Sequence, residues 1–171
     1  MIKQILTFDF SPESSPFEED KGKGLIWGRI KLNVVDQRGK ILQEVINMVW
    51  DVRELMEWFL KNEWFLQNEE FPEKYVVSGN SIAELRWRYY KLRTGDNIDD
   101  EADEVLYQFA TRHDIYYPMT GTKTIHAFIG KRAGKREISF YYGPDENWRY
   151  DIELEDTMAE VRKFQERYSG N

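Results

Sequence analysis

Apolar side chains recur along this chain with two spacings, a period of two and a period near 3.6, and their order lays out the elements. Ile2, Gln4, Leu6, Phe8 and Phe10 alternate with Lys3, Thr7 and Asp9, so residues 2–10 read as a half-buried strand. Over 25–35, Ile26, Gly28, Ile30, Leu32 and Val34 share one face and Trp27, Arg29, Lys31 and Asn33 the other. Asp36-Gln37-Arg38-Gly39-Lys40 is a tight turn. Residues 41–49 return as a third strand with apolar residues on both faces, which predicts a central strand covered on both sides.

The period then changes. Val52, Leu55, Met56, Phe59 and Leu60 form a helical stripe, with Asp51 as its N-cap and Glu54 at the capping-box position. Glu63 to Gln67 either extends this helix or forms a separate turn, and Pro72 ends any helix before it. Ser81 and Glu84 make a second capping box, opening a helix to about Arg93 with Ile82, Leu85, Tyr89 and Leu92 inside and Gly95 as C-cap. The acidic run Asp96 to Glu104 opens a third helix whose inner residues are Ala102, Val105, Leu106, Phe109 and Ala110. Strands follow at 124–129, 136–142 and 148–154, joined by turns around Ala133-Gly134-Lys135 and Gly143 to Asn147. A last helix, capped by Asp156, turns Met158, Val161, Phe164 and Tyr168 to one face. Strands and helices are grouped, not alternated. The pattern predicts an α+β fold: a mainly antiparallel sheet of five or six strands, with helices packed mostly on one face. It reads as a single domain over 1–171, with 11–24 a mobile polar loop.

Composition narrows the chemistry. The chain has no Cys, which excludes thiol nucleophiles, zinc–thiolate sites and disulfides, and fits a cytoplasmic location. No run approaches the length of a membrane span, so no membrane partner is expected. A formal charge of −7 argues against nucleic acid and is compatible with a basic protein partner. Six Trp, ten Tyr and ten Phe exceed what a core of this size needs, which leaves rings for a surface.

The sequence holds two histidines, His113 at the end of the third helix and His126 within a strand, and neither has a motif around it. A paired general base requires that they meet in space. The run Asp96 to Glu104 lacks the Gly and closing Glu of an EF-hand, and carboxylates at a helix start are favoured by the dipole without a metal. No phosphate loop is present, and neither a cofactor nor a metal is called for. Arg86, Arg88, Lys91 and Arg93 interleave with Trp87 and Tyr90, a pattern shared by stacking surfaces for nucleic acid; pairing with the nearby acidic run is the simpler account. The basic hairpin tip around Lys131, Arg132, Lys135 and Arg136 is read as a solvated turn. Rings flanked by carboxylates are the composition of a protein-binding patch, and the candidates are Glu57, Trp58, Glu63, Trp64, Asp145, Glu146, Trp148, Tyr150 and Asp151.

The segment Val49 to Phe59, with Glu69-Glu70-Phe71-Pro72 downstream, resembles a pattern in small uncharacterised bacterial proteins of the toxin-immunity type. That resemblance implies a cytoplasmic, acidic α+β domain that covers a toxin and has no catalytic residues. The first expectation is therefore a non-catalytic inhibitor that docks on a basic, nuclease-like active site. A small hydrolase or nucleotide-handling enzyme using His113, His126 and acidic residues is the second, and a homo-oligomeric structural subunit the third.

Overall fold

The computed structural model describes residues 3–20, 23–76, 78–92 and 99–168. Its strands are β1 (Gln4–Pro12), β2 (Trp27–Val35), β3 (Ile41–Asp51), β4 (Ala127–Arg132), β5 (Lys135–Gly143) and β6 (Glu146–Glu153). Its helices are α1 (Val52–Asn68), α2 (Ile82–Leu92), α3 (Asp100–His113) and α4 (Glu155–Tyr168). The fold is α+β with a mixed six-stranded sheet in the order β3-β2-β1-β6-β5-β4. Every pairing is antiparallel except β1 with β6, where Gln4 and Ile5 meet Ile152 and Glu153. By packing, the chain divides into two compact units, Met1–Lys61 with Ile152–Asn171, and Asn62–Asp151. The Gly95 cap, Arg93, and the start of the acidic run at 96–98 lie outside the described residues, as do 21 and 22 of the 11–24 loop.

In the first unit, Leu6, Ile30, Leu32, Val34, Ile46, Val52, Leu55, Phe59, Val161 and Leu154 are fully or almost fully buried. The α1 stripe falls where its period puts it. Asp51 accepts from the N–H of Arg53 (3.2 Å), as an N-cap should, and also from Ile26 N–H (3.0 Å), which ties the helix start to the entry of β2. The α1 helix runs on without a break to Asn68, which resolves the alternative left open at Glu63–Gln67. β3 is an edge strand, not a central one. Its pairing with β2 slips between Leu32 and Asn33, so Val45 and Ile46 are both buried, and simple alternation misreads the phase across such a bulge. Asp156 is the second residue of α4 and not its cap; the first turn closes two residues earlier, where Met158 N–H donates to the carbonyl of buried Leu154. Of the 11–24 stretch, Ser11 and Pro12 belong to β1 and pair with Arg29 and Gly28; beyond them Glu13 is held by Arg29 (3.1 Å) and by the carbonyl of Trp27 (3.1 Å), and the ring of Phe17 lies against Trp27.

The second unit packs α2 and α3 on β4 and β5 around Phe71, Ile82, Leu85, Leu106, Phe109 and Phe128. The Ser81–Glu84 box forms with a shift: Ser81 Oγ accepts from Glu84 N–H (3.1 Å), and Glu84 reaches back to Asn80 N–H (2.7 Å) instead of Ser81. β5 satisfies the other free N–H groups of this helix end. Glu137 accepts from Ile82 N–H (2.7 Å) and Ser139 Oγ from Ala83 N–H (3.2 Å). Leu92, expected inside, is 64% exposed.

Ala133 and Gly134 form the two-residue β4–β5 turn with φ of 48° and 74°. A left-handed backbone costs alanine about 1 kcal/mol and asparagine less. Ala133→Asn should therefore raise stability by about 0.5–1 kcal/mol, an increase of roughly 2 °C in Tm by calorimetry. A drop would mean that the turn does not hold this conformation.

Candidate functional site

The second unit carries a concave surface of about 630 Å³ between α2 and the strand β5. On α2, Ala83, Arg86, Trp87, Tyr90 and Lys91 recur at i, i+3, i+4, i+7 and i+8, a second stripe beside the buried one of Ile82 and Leu85. Phe140, Tyr141 and Tyr142 come from β5, Phe128 from β4 and Glu146 from β6. Trp87 meets Tyr141 edge to face at 5.3 Å. Tyr142 is 72% exposed. The ring surface extends through His126, which stacks on Tyr116 at 4.1 Å, and on to Tyr117 and the half-exposed Tyr107.

Arg86 lies among these rings. Its guanidinium sits 4.9 Å from the Phe128 centroid and 5.2 Å from that of Tyr90. Among the described residues its nearest carboxylate oxygen, Oδ2 of the buried Asp114, is 3.9 Å away, and its Nε has no hydrogen-bond partner. Asp114 is engaged elsewhere: Oδ1 accepts from Tyr116 N–H (3.0 Å) and Oδ2 binds His126 Nδ1 (2.7 Å). Burial pushes the Tyr117 hydroxyl above its ordinary value, although the Arg86 charge pulls the other way.

His126 is not within a strand. Ala127 N–H donates to Ile125 O (3.0 Å), so the chain turns at His126 just before β4, and Asp114 holds the imidazole at the edge of the groove. The two histidines do not converge. His113 is fully buried, stacked on Phe109 at 3.8 Å, with Nδ1 on Ile129 O (2.6 Å) and Nε2 on Glu69 Oε2 (2.8 Å). Gly130 permits this packing, since a Cβ there would stand 3.1 Å from His113 Nδ1. Arg112 adds two bonds to the same carboxylate, at 2.6 and 2.9 Å. Burial alone would raise the Glu69 carboxyl; His113 and Arg112 outweigh it and hold the group down at about 2.

The sequence candidates scatter. Trp58 is buried at 8% exposure: its indole lies at the flank of the α1 stripe, close enough to be covered with it. Glu57 is exposed in the first unit. In the second, Trp64 is 64% exposed, Glu63 is half-buried and accepts from Gln67 (3.1 Å), and Asp145 is exposed in the β5–β6 turn. Glu146 lines the groove. Trp148 and Tyr150 are half-buried in a ring row with Phe140, and Asp151 accepts from Arg149 (2.6 Å). Arg88 pairs with Glu84 (2.7 Å) and Arg86 with Asp114, not with the acidic run; Arg93 and positions 96–98 of that run lie outside the described residues. At the hairpin tip, Lys131 pairs with Glu70 (3.1 Å) and Arg132 with Glu73 (2.6 Å). The groove itself was not among the sequence candidates; the interleaved Arg86-Trp87-Tyr90-Lys91 stripe was its signal, and β5, some fifty residues on, supplies the other wall.

Among the described residues no group of three or more His, Asp or Glu is placed to hold a metal, and no helix is long and apolar enough to cross a membrane. Compared with known proteins, the chain matches no family model, no curated protein and no solved structure.

Proposed function

We propose that this chain is a non-catalytic binding domain that covers another protein, an inhibitor of the immunity type acting in the cytoplasm on a toxin with a basic, nuclease-like active site. The observation that carries the reading is the exposed ring surface centred on Arg86. Tyr, Trp and Arg are the side chains that dominate protein interfaces, and here they line one concavity instead of filling a core. The well-buried ionisable groups away from it serve the fold: Asp51 caps α1, Glu137 caps α2, and His113 is locked with Glu69 and Arg112. The net charge of −7 would speed encounter with a partner of net positive charge, while the rings would hold one local segment of it.

The test is calorimetry with the purified product of the adjacent gene, together with an assay of that product's activity. Nanomolar binding with loss of activity is the expected outcome. Tyr142→Ala, at a position too exposed to affect folding, should weaken the complex about tenfold, or roughly 1.4 kcal/mol. If no neighbouring gene encodes a toxin and no neighbour's product binds, the reading falls.

The His126–Asp114 pair favours a second reading, a small hydrolase or nucleotide-handling enzyme. A buried carboxylate that orients an exposed imidazole is the arrangement of a general base. In it His126 acts without His113, whose two nitrogens are both engaged in the interior. A turnover abolished by His126→Asn would establish that reading, and its absence across nucleotide and ester substrates would remove it. A third use of the same rings, joining two copies of the chain, predicts sedimentation that changes with concentration.

A further inference from the structure

We infer that the groove receives an acidic segment of the partner, a carboxylate held by Arg86, Lys91 and His126 with a neighbouring ring or apolar side chain against Trp87, Tyr90 and Tyr142. The inference rests on the protein-binding reading and names what enters the site. The polar equipment of the groove is mostly donors. Arg86 brings a guanidinium whose side chain is 17% exposed, which lies on two rings and whose nearest carboxylate oxygen among the described residues, Asp114 Oδ2 at 3.9 Å, is beyond hydrogen-bond reach. Lys91 lies on the same helix face, 5.6 Å from the Trp87 centroid. His126 has Nδ1 tied to Asp114, which leaves Nε2 for an incoming group. Among the described lining residues Glu146 is the one carboxylate.

A largely desolvated guanidinium without a close acceptor gains more from an arriving carboxylate than an exposed one would, and a planar fork against a carboxylate gives the strongest pairing available to it. A basic segment would meet Arg86 and Lys91 with like charge. Such a segment fits instead the cleft of the first unit, lined by Asp9, Asp36, Asp156 and Glu160. A nucleic-acid strand would find rings to stack on, and hexauridylate tests that occupant directly.

Two measurements on the full chain test this. In the first, ¹⁵N-labelled protein is titrated with the peptides acetyl-Gly-Asp-Tyr-Glu-Gly-amide and acetyl-Gly-Lys-Tyr-Lys-Gly-amide and with hexauridylate. The acidic peptide should shift the Trp87 indole and His126 resonances and bind at least tenfold more tightly than the other two. Arg86→Gln should weaken it about 30-fold, as expected for loss of one partner of a desolvated charge pair. Lys91→Glu, at an exposed position, should reverse the preference between the peptides even if Arg86→Gln does not fold. No shift at the groove, or equal binding of the lysine peptide or hexauridylate, overturns the inference. In the second, the product of the adjacent gene is bound to wild type and to the same variants. Equal affinity for all of them overturns the inference and leaves the binding reading standing. If that product does not bind while the acidic peptide does, the binding reading fails and the chemistry of the groove stands.

Discussion

Glu69→Ala should destabilise the second unit by about 3 kcal/mol, a large share of the 5–15 kcal/mol that holds a typical domain. The reason lies in His113. Both of its ring nitrogens face acceptors, Ile129 O at 2.6 Å and Glu69 Oε2 at 2.8 Å, so each contact needs a proton on a ring that is wholly out of solvent. Without the carboxylate, either a buried charge stands alone or a buried N–H loses its acceptor, and Arg112 loses two bonds as well. Urea unfolding should show the midpoint falling by about 1–2 M, with hydrogen exchange accelerated in α3 and β4. Glu69→Gln keeps an acceptor oxygen and should cost less. The same carboxyl gives a pH signature. It is held at about 2 against an ordinary 4.5, so its contribution is complete above about 4.5 and disappears as pH falls from there through 2. Wild type should lose stability over that window more steeply than Glu69→Gln. Parallel curves would show that Glu69 does not carry the ion pair.

How much of this was readable from the chain varies with the reach of the interaction that decides each feature. The α1 stripe at Val52, Leu55, Met56 and Phe59, the Ser81–Glu84 cap and the turn around Ala133-Gly134-Lys135 depend on neighbours within a few residues, and all three form, the turn narrowed to Ala133 and Gly134. The errors arise where a distant group intervenes. Alternation through Ile125, Ala127 and Ile129 marks His126 as a strand residue, yet the chain turns there and Asp114 takes the imidazole. Alternation through β3 gives two apolar faces because a bulge at Val45 shifts the phase, and the edge position follows from pairing order that no local pattern contains. Trp58 looked like a surface ring because it stands beside Glu57, but a long indole next to a buried stripe is drawn in with it. The boundaries between the two compact units fall inside α1 and β6, where no change of composition marks them. The groove needs α2 against β5, so its helix half could be seen as a basic aromatic stripe and its strand half could not be placed opposite.

That juxtaposition hangs on one carboxylate, and Glu137→Ala should show it. Glu137 is fully buried on β5 and accepts from Ile82 N–H at the start of α2 and from Arg149 Nε at 2.6 Å. A carboxylate at a helix N-terminus satisfies an N–H that has no partner within the helix and meets the positive end of the helix dipole. Desolvation would lower the Arg149 pKa, and the hydrogen bond that Arg149 donates to Glu137, with the charge of that carboxylate, more than offsets it, so the pair is mutually dependent. Truncation leaves Ile82 N–H buried and unsatisfied and frees Arg149 to solvent, for a loss of about 3 kcal/mol. Ser139→Ala, which removes only the acceptor for Ala83 N–H, should cost about 1 kcal/mol. Both changes lie beneath the groove and neither residue lines it. If α2 is positioned from below by these two side chains, binding at Trp87 and Tyr90 should weaken in the order Ser139→Ala then Glu137→Ala, even at temperatures where both variants remain folded by circular dichroism. Unchanged affinity in folded Glu137→Ala protein would mean that the core contacts of Ile82 and Leu85 alone set the helix, and that the polar seat beneath it contributes stability without shaping the site.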